Sequence, residues 1–216
     1  MTDKLSELFP DMSCEGSLFY YWPIGIRFEI ADPEMPYLLE TGTYNSDYFS
    51  RALARAEAVF DAAFSADDEI TVIYDLFSYG RRRIKKRCLV FQQIAEPSSA
   101  DYLYQDLDSI WLDENDPKCY CLKRVQISTS VRNVHRTKLI EASLHTDFPD
   151  RKPNFSGRCY FLNRTRGIIY CLYDDRGLDL IATEKSSLAD IYRNLGHWIL
   201  EHDRERIDEC FREEEN

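Results

Sequence analysis

A chain of 216 residues with 44% hydrophobic and 30% charged residues has the composition of an ordinary folded protein, long enough for one sizeable core and short for two. The formal net charge of −11 opposes nucleic-acid binding as a whole-molecule property, because phosphate contacts need a positive footprint, and suits a chain that meets a basic partner. No run approaches the roughly 20 apolar residues that span a bilayer, so no membrane segment is expected.

The opening Met1-Thr2-Asp3-Lys4 lacks the basic and apolar regions of a secretory signal. Seven cysteines, an odd number without a short repeated spacing, fit packed thiols better than a disulfide framework. On both features a cytoplasmic location is expected.

In chain order, a short helix is expected from Asp3 to Leu8, stopped by Pro10 and followed by a polar loop to Gly16. The strand Gly25 to Ile30 alternates Ile26, Phe28 and Ile30 with Arg27 and Glu29. Asp47 to Phe64 has the spacing of an amphipathic helix, with Asn45 or Ser46 as its N-cap and Phe49, Ala52, Leu53, Ala56, Val59, Phe60, Ala63 and Phe64 on one face. Ile70 to Leu76 follows as a strand. Between Gly80 and Ile94 the spacing of Ile84, Cys88, Phe91 and Ile94 favours a helix, although Cys88 to Phe91 also fits a core strand. A turn is expected at Pro97-Ser98-Ser99, then an acidic, aromatic-bearing segment of little periodicity up to Pro117. Cys119 to Ser128 is expected as a strand and Arg136 to His145 as a short helix.

Tyr160 to Ala182 holds three β-rich segments separated by the polar Asn163 to Gly167 break and by an Asp174-Asp175-Arg176-Gly177 corner, in which glycine supplies a left-handed residue. It is expected as an antiparallel meander with one buried face. Ser187 and Asp190 have capping-box spacing, and Leu188, Ile191, Tyr192, Leu195, Trp198 and Ile199 begin a stripe running weakly to Ile207 and Phe211, which predicts one long helix from Leu188 to Arg212. The expected fold is α+β: a mostly antiparallel sheet of about six strands packed against about three helices, with a long C-terminal helix. One domain over 1–216 is expected, with 1–16 and 212–216 peripheral.

Three blocks taken together carry a resemblance: Phe19-Tyr20-Tyr21-Trp22-Pro23-Ile24-Gly25-Ile26-Arg27-Phe28-Glu29, Tyr173-Asp174-Asp175-Arg176-Gly177-Leu178-Asp179, and Trp198-Ile199-Leu200 with Asp203-Arg204 and Ile207-Asp208. The set resembles an uncharacterised bacterial family, a domain of unknown function common in Gram-positive genomes, over nearly the whole chain. The resemblance implies a bacterial cytoplasmic protein and no activity. Small acidic bacterial proteins of α+β type are often immunity proteins that neutralise a toxin, an analogy of type only.

No residue pattern announces chemistry. Asp174, Asp175, Arg176, Gly177 and Asp179 are expected as a structural corner in which aspartates cap turn N–H groups and Arg176 pairs with Glu29 or a neighbouring Asp; no cation-binding spacing accompanies them. Cys119-x-Cys121, with Cys159 and Cys171, invites zinc, yet i and i+2 side chains on a strand lie roughly 6–7 Å apart, and no paired-cysteine loop is present. His135, His145, His197 and His202 lack a catalytic context, and the glycine, serine and metal signatures of common enzyme classes are absent. No cofactor and no catalytic residue is assigned.

The Arg81-Arg82-Arg83-Ile84-Lys85-Lys86-Arg87 run carries six positive charges without interleaved aromatics, the pattern of a solvated segment pairing with the chain's own acids. From Asp101 to Pro117 six acids occur with no base, around Tyr102, Tyr104, Ile110 and Trp111. Acids steer encounter with a basic protein and aromatics anchor it. The candidate partner surface is therefore Tyr104, Asp106, Asp108, Trp111, Asp113, Glu114 and Asp116, and the partner a basic protein such as a toxin domain. A second acidic zone, Glu201 to Glu215, has eight acids against three bases and is expected as a solvent-facing helix end. The competing expectations are a hydrolase or transferase using Asp174, Asp175 and Glu29 in a cleft, and a regulatory nucleic-acid binder acting through residues 81–87.

Overall fold

The structure, a computed structural model, describes residues 3–12, 16–78, 84, 88–95, 101–107 and 121–212. Its centre is a seven-stranded antiparallel sheet in the order β1-β7-β6-β5-β2-β4-β3. The strands are β1 (Gly25–Glu29), β2 (Glu69–Ser78), β3 (Tyr102–Leu107), β4 (Cys121–Ser130), β5 (Arg158–Asn163), β6 (Ile168–Leu172) and β7 (Gly177–Ala182). The α+β class is confirmed, with one strand more than the pattern showed. Helices are α1 (Lys4–Leu8), α2 (Leu18–Tyr21), α3 (Ser46–Ala63), α4 (Leu89–Gln92), α5 (Arg136–Leu144), α6 (Ser186–Leu195) and α7 (Arg204–Phe211). Among the described residues no helix is long and apolar enough to cross a membrane.

Helix α3 forms as its spacing predicts. Asn45 caps it, accepting from the Asp47 N–H at 3.1 Å, and Phe49, Ala52, Ala56, Val59, Phe60 and Ala63 are buried. Its alanines bring the helix backbone close to the sheet: Tyr170 on β6 donates to Ala56 O at 3.1 Å, while Phe60 stacks on Phe64 and meets Phe161 edge-on at 5.1 Å. Burying each such ring contributes about 1.5–3 kcal/mol.

The meander forms, but both of its faces are buried. Every residue of β6 and β7 is buried. One face joins the main core under α3, α5, α6 and α7; the other packs Tyr160, Leu162, Ile169, Cys171 and Ile181 against Leu5, Phe9 and Leu18. The N-terminal segment supplies that second layer, held by Asp3 capping α1 and by Trp22 Nε1 donating to Ala182 O at 2.7 Å. Period-2 alternation could not reveal this, because a strand covered twice has no polar face.

Three further expectations are corrected. Gly177 is not left-handed; it is small because a methyl there would land on the Tyr173 hydroxyl. The left-handed glycine of the meander is Gly167 (φ 62), closing the turn whose Thr165 and Arg166 N–H groups donate to Asn163 Oδ1. The stripe from Leu188 to Arg212 is not one helix. After Leu195 the chain makes two 3-10 turns, Gly196–Trp198 and Glu201–Asp203, and between them Ile199 bridges Phe28 while the Leu200 N–H donates to Arg27 O at 2.9 Å. The open edge of β1 is more demanding than helix continuity, since its backbone groups need partners. Ser187 does not cap α6 either; its hydroxyl donates to Arg166 O at 2.9 Å, tying the helix start to the β5–β6 turn.

Within Gly80 to Ile94 the described helix is Leu89–Gln92 alone. The expected turn at 97–99, Cys119 and all of the basic run except Ile84 lie outside the described residues. The segment expected to lack periodicity contains β3.

Candidate interaction surface

Strand β3 ends the sheet, pairing with β4 on one side only among the described residues. Its alternation sends Gln105 towards α1, where the Gln105 amide donates to Asp3 at 2.9 Å, and sends Tyr102, Tyr104 and Asp106 the other way. Tyr102 is half-buried against Phe91, and Tyr104 stacks on it with centroids 6.1 Å apart yet remains 56% exposed. Burial against this wall pushes both phenols above their ordinary range. Asp106 lies opposite Lys123 and pairs with it while its side chain stays 80% exposed. Of the seven residues that the sequence singled out for partner contact, Tyr104 and Asp106 therefore share one exposed face. Asp108, Trp111, Asp113, Glu114 and Asp116 lie outside the described residues.

The aspartate corner is built as a turn. Asp174 Oδ1 accepts from the Arg176 and Gly177 N–H groups at 2.8 and 3.2 Å, and its Oδ2 receives the Arg176 guanidinium. Arg176 also reaches Asp147 at 3.6 Å, so its partners are aspartates and not Glu29. Asp175 is buried and accepts from the Tyr48 hydroxyl; burial pushes its carboxyl up against the opposing pull of that hydrogen bond, and burial likewise raises the Tyr48 phenol. Oxygens of Asp147, Asp174 and Asp175 come within 4.8 Å of one another, a donor set able to hold a hard cation, although the Arg176 guanidinium already bridges two of the three.

Asp179 does not belong to that corner. It faces the opposite side of β7, where Ser17 Oγ donates to it at 2.6 Å and the Phe19 N–H at 3.3 Å, with Arg27 Nε 3.5 Å away. Burial raises its carboxyl despite these donors. Arg27 is the hub of this second cluster: its guanidinium lies between the rings of Tyr20 and Tyr173, donates to both hydroxyls and reaches Asp203 at 3.5 Å. Burial opposes the Arg27 charge, but Tyr173, Asp179 and Tyr20 together hold its pKa above the ordinary value. Burial pushes the Tyr173 phenol up to about 12. The cluster ties α2, β1, β7 and the C-terminal turns together. Sequence spacing concealed it because its members are up to 183 residues apart.

The remaining chemical candidates separate. Cys159 sits in the main core and Cys171 on the reverse face of the sheet, so they cannot share an ion, and burial raises the Cys159 thiol far from any nucleophilic range. His145 is buried with Nδ1 2.8 Å from Pro153 O, and burial lowers its pKa. His197 and His202 fall on the two separate 3-10 turns. The C-terminal acidic zone lines an open depression of about 470 Å³ with Glu201, Arg204, Glu205, Asp208 and Arg212, a shallow, solvated surface with its charges of both signs close together.

One exposed feature escaped the sequence reading. Residues 36–45 form a small hairpin, closed by Leu39 N–H to Thr43 O at 2.9 Å, Asn45 N–H to Tyr37 O at 2.8 Å and the left-handed Gly42. It leaves Tyr37, Leu38 and Leu39 exposed at 47, 39 and 46%. Clustered prolines and a Thr-Gly-Thr turn mask so short an apolar run.

No solved structure matches the chain. A curated relative, the uncharacterized protein YnaE of Bacillus subtilis (strain 168), is 22% identical over 209 residues, which cover 92% of this chain and 96% of that protein. The family model described as a domain of unknown function, DUF3885, matches residues 1–203. The chain belongs to this DUF3885 family, as the three sequence blocks implied.

Proposed function

We propose that the chain is a cytoplasmic, non-enzymatic protein-binding module that captures a basic protein through the β3 edge. The carrying observation is the exposed Tyr104 beside Asp106 on a terminal strand, from which the chain continues directly into the acids of 108–116. An exposed ring held by a stacked neighbour loses little freedom on binding, and surrounding acids accelerate encounter with a cationic surface. The carboxylates expected of an enzyme weigh against that alternative: Asp174 caps a turn and binds Arg176, and Asp175 is buried under the Tyr48 hydroxyl. Within this reading the finer assignment is an immunity protein that covers the cationic active surface of a toxin domain such as a nuclease.

The test is a tagged pull-down from the native host with the product of the adjacent upstream gene co-expressed, comparing wild type with Tyr104→Ala/Asp106→Asn. A stoichiometric basic partner should be lost from the variant and weakened by salt, and its toxicity on expression should be relieved by wild type alone. A partner retained equally by the variant, or the absence of any partner, refutes the reading. Charge reversal at Asp106 is avoided because it would set two cations opposite each other at Lys123.

A further inference from the structure

We propose that the 36–45 hairpin is a second docking element, independent of β3, which inserts Tyr37, Leu38 and Leu39 into an apolar pocket rimmed by lysine or arginine on a partner protein. The hairpin is preorganised. The Asn45 amide donates to Pro36 O at 2.9 Å in addition to the two cross-strand bonds, and the Tyr37 ring rests on Phe148 and Tyr48 at 5.6 and 6.4 Å. Its base is anchored in a buried cluster of Ala31, Tyr48, Phe49 and Phe148. Three adjacent bulky apolar side chains held out on a rigid base have the form of an interface anchor, since little ordering remains to oppose binding.

Charge selects the occupant. From Asp32 to Ser50 there are four acids and no base. Among the described residues Glu34, Glu40 and Asp47 enter no ion pair, whereas neighbouring cations are engaged: Arg51 and Arg55 with Asp32, Arg176 with Asp147 and Asp174, and Arg151 over the Phe49 and Tyr44 rings. An apolar tip framed by uncompensated acids suits a cationic rim, repels anionic lipid, and in a two-fold contact with a second copy would set Glu34, Glu40 and Asp47 against their own counterparts. The surface is separate from β3. Tyr48 under the hairpin binds Asp175 in the β6–β7 turn, and β6 lies four strand spacings from β3, roughly 19 Å at the standard interval.

The experiment pans a random-sequence displayed peptide library against immobilised wild-type protein and measures the enriched peptides on Leu38→Ser/Leu39→Ser, Glu34→Lys/Glu40→Lys and Tyr104→Ala. All substituted side chains are exposed, and unchanged thermal melting verifies the fold of each variant. Enriched peptides should pair bulky apolar residues with Lys or Arg, bind both hairpin variants at least about tenfold more weakly, and bind Tyr104→Ala as wild type. Loss in Tyr104→Ala alone would support the β3 reading and overturn this one. Absence of enrichment, enriched peptides without basic residues, or undiminished binding to the Leu38→Ser/Leu39→Ser variant also overturns it. So does a sedimenting dimer dissolved by that variant, or hairpin-dependent binding to phosphatidylglycerol vesicles.

Discussion

Asp75→Asn tests how the reverse face of the sheet is stabilised. Asp75 on β2 stands in register with Arg124 on β4 and Arg158 on β5, and Arg124 is opposite Gln105 on β3, so one polar row crosses four strands. The Arg124 guanidinium meets Asp75 in a fork, Nε to Oδ1 at 2.7 Å and Nη2 to Oδ2 at 2.6 Å, with both residues buried. Asparagine preserves the volume but removes the negative charge that faces the Arg124 guanidinium. Breaking one side of a buried pair costs about 3–5 kcal/mol because the surviving charge stays desolvated, against a total stability of roughly 5–15 kcal/mol for a domain. For a chain of this size that corresponds to a melting-temperature loss of roughly 6–20 °C. Urea unfolding followed by tryptophan fluorescence measures it. A second variant, Asp75→Leu/Arg124→Met, removes both charges and should recover most of the loss. A cost for Asp75→Asn below about 1 kcal/mol, or a double variant less stable than the single, would refute the argument that losing the carboxylate of this buried pair sets the cost.

Two further outcomes are expected. Gly177→Ala forces the Tyr173 ring away from Arg27, to which its hydroxyl is bonded at 3.0 and 3.2 Å, and should cost about 1–3 kcal/mol; in a Tyr173→Ala background the same substitution should cost under about 0.5 kcal/mol, and equal costs in both would exclude the clash. Burial alone would raise the Asp3 carboxyl, but donors from Gln126, Gln105 and Ser6 overcome it and hold the pKa at about 2, below the ordinary 3.8. Because the folded value is the lower one, the stabilisation is complete above 3.8 and is lost as pH falls towards 2. Partial exposure limits it to about 1 kcal/mol. Denaturation curves across that window should therefore converge for wild type and Asp3→Asn, and a gap that widens with acidity would refute the assignment.

Legibility in the sequence followed the range of the forces involved. Helix α3 was readable because cap, apolar stripe and length all lie within 20 contiguous residues (45–64). Strand β3 was hidden because its six residues, Tyr-Leu-Tyr-Gln-Asp-Leu, are partly exposed on both sides, so neither face carries a clean apolar set. The C-terminal stripe was read correctly residue by residue, since Leu188, Ile191, Ile199, Ile207 and Phe211 all enter the core, but its spacing could not announce that the β1 edge would draw Ile199 and Leu200 into extended backbone. At the candidate surface, acid density drew attention to the segment and alternation could place Tyr104 with Asp106 on one face of β3. Lys123 as the cross-strand partner required the β3–β4 register, which is set by pairing and not by composition.

The division of the carboxylates bears most directly on what the chain can do. A catalytic acid needs burial that shifts its proton affinity and a lone pair left facing a space where substrate can sit. Burial raises the carboxyls of Asp175 and Asp179, and the buried aspartates are otherwise occupied: Asp75 is in the Arg124 fork, Asp174 in its turn with Arg176, Asp175 under Tyr48, and Asp203 accepts from Tyr20 at 3.0 and 3.2 Å. Asp179 comes nearest, because its Oδ1 accepts no hydrogen bond, but that atom faces Arg27 at 3.5 Å inside the cluster that joins α2 to the C-terminal turns. Compensation is thus concentrated in the interior, whereas the exposed acids framing the hairpin, Glu34, Glu40 and Asp47, enter no ion pair among the described residues of a chain whose net charge is −11. A field so distributed acts on a partner's approach and orientation before contact, which is the physical reason to seek this chain's function in association with a basic protein.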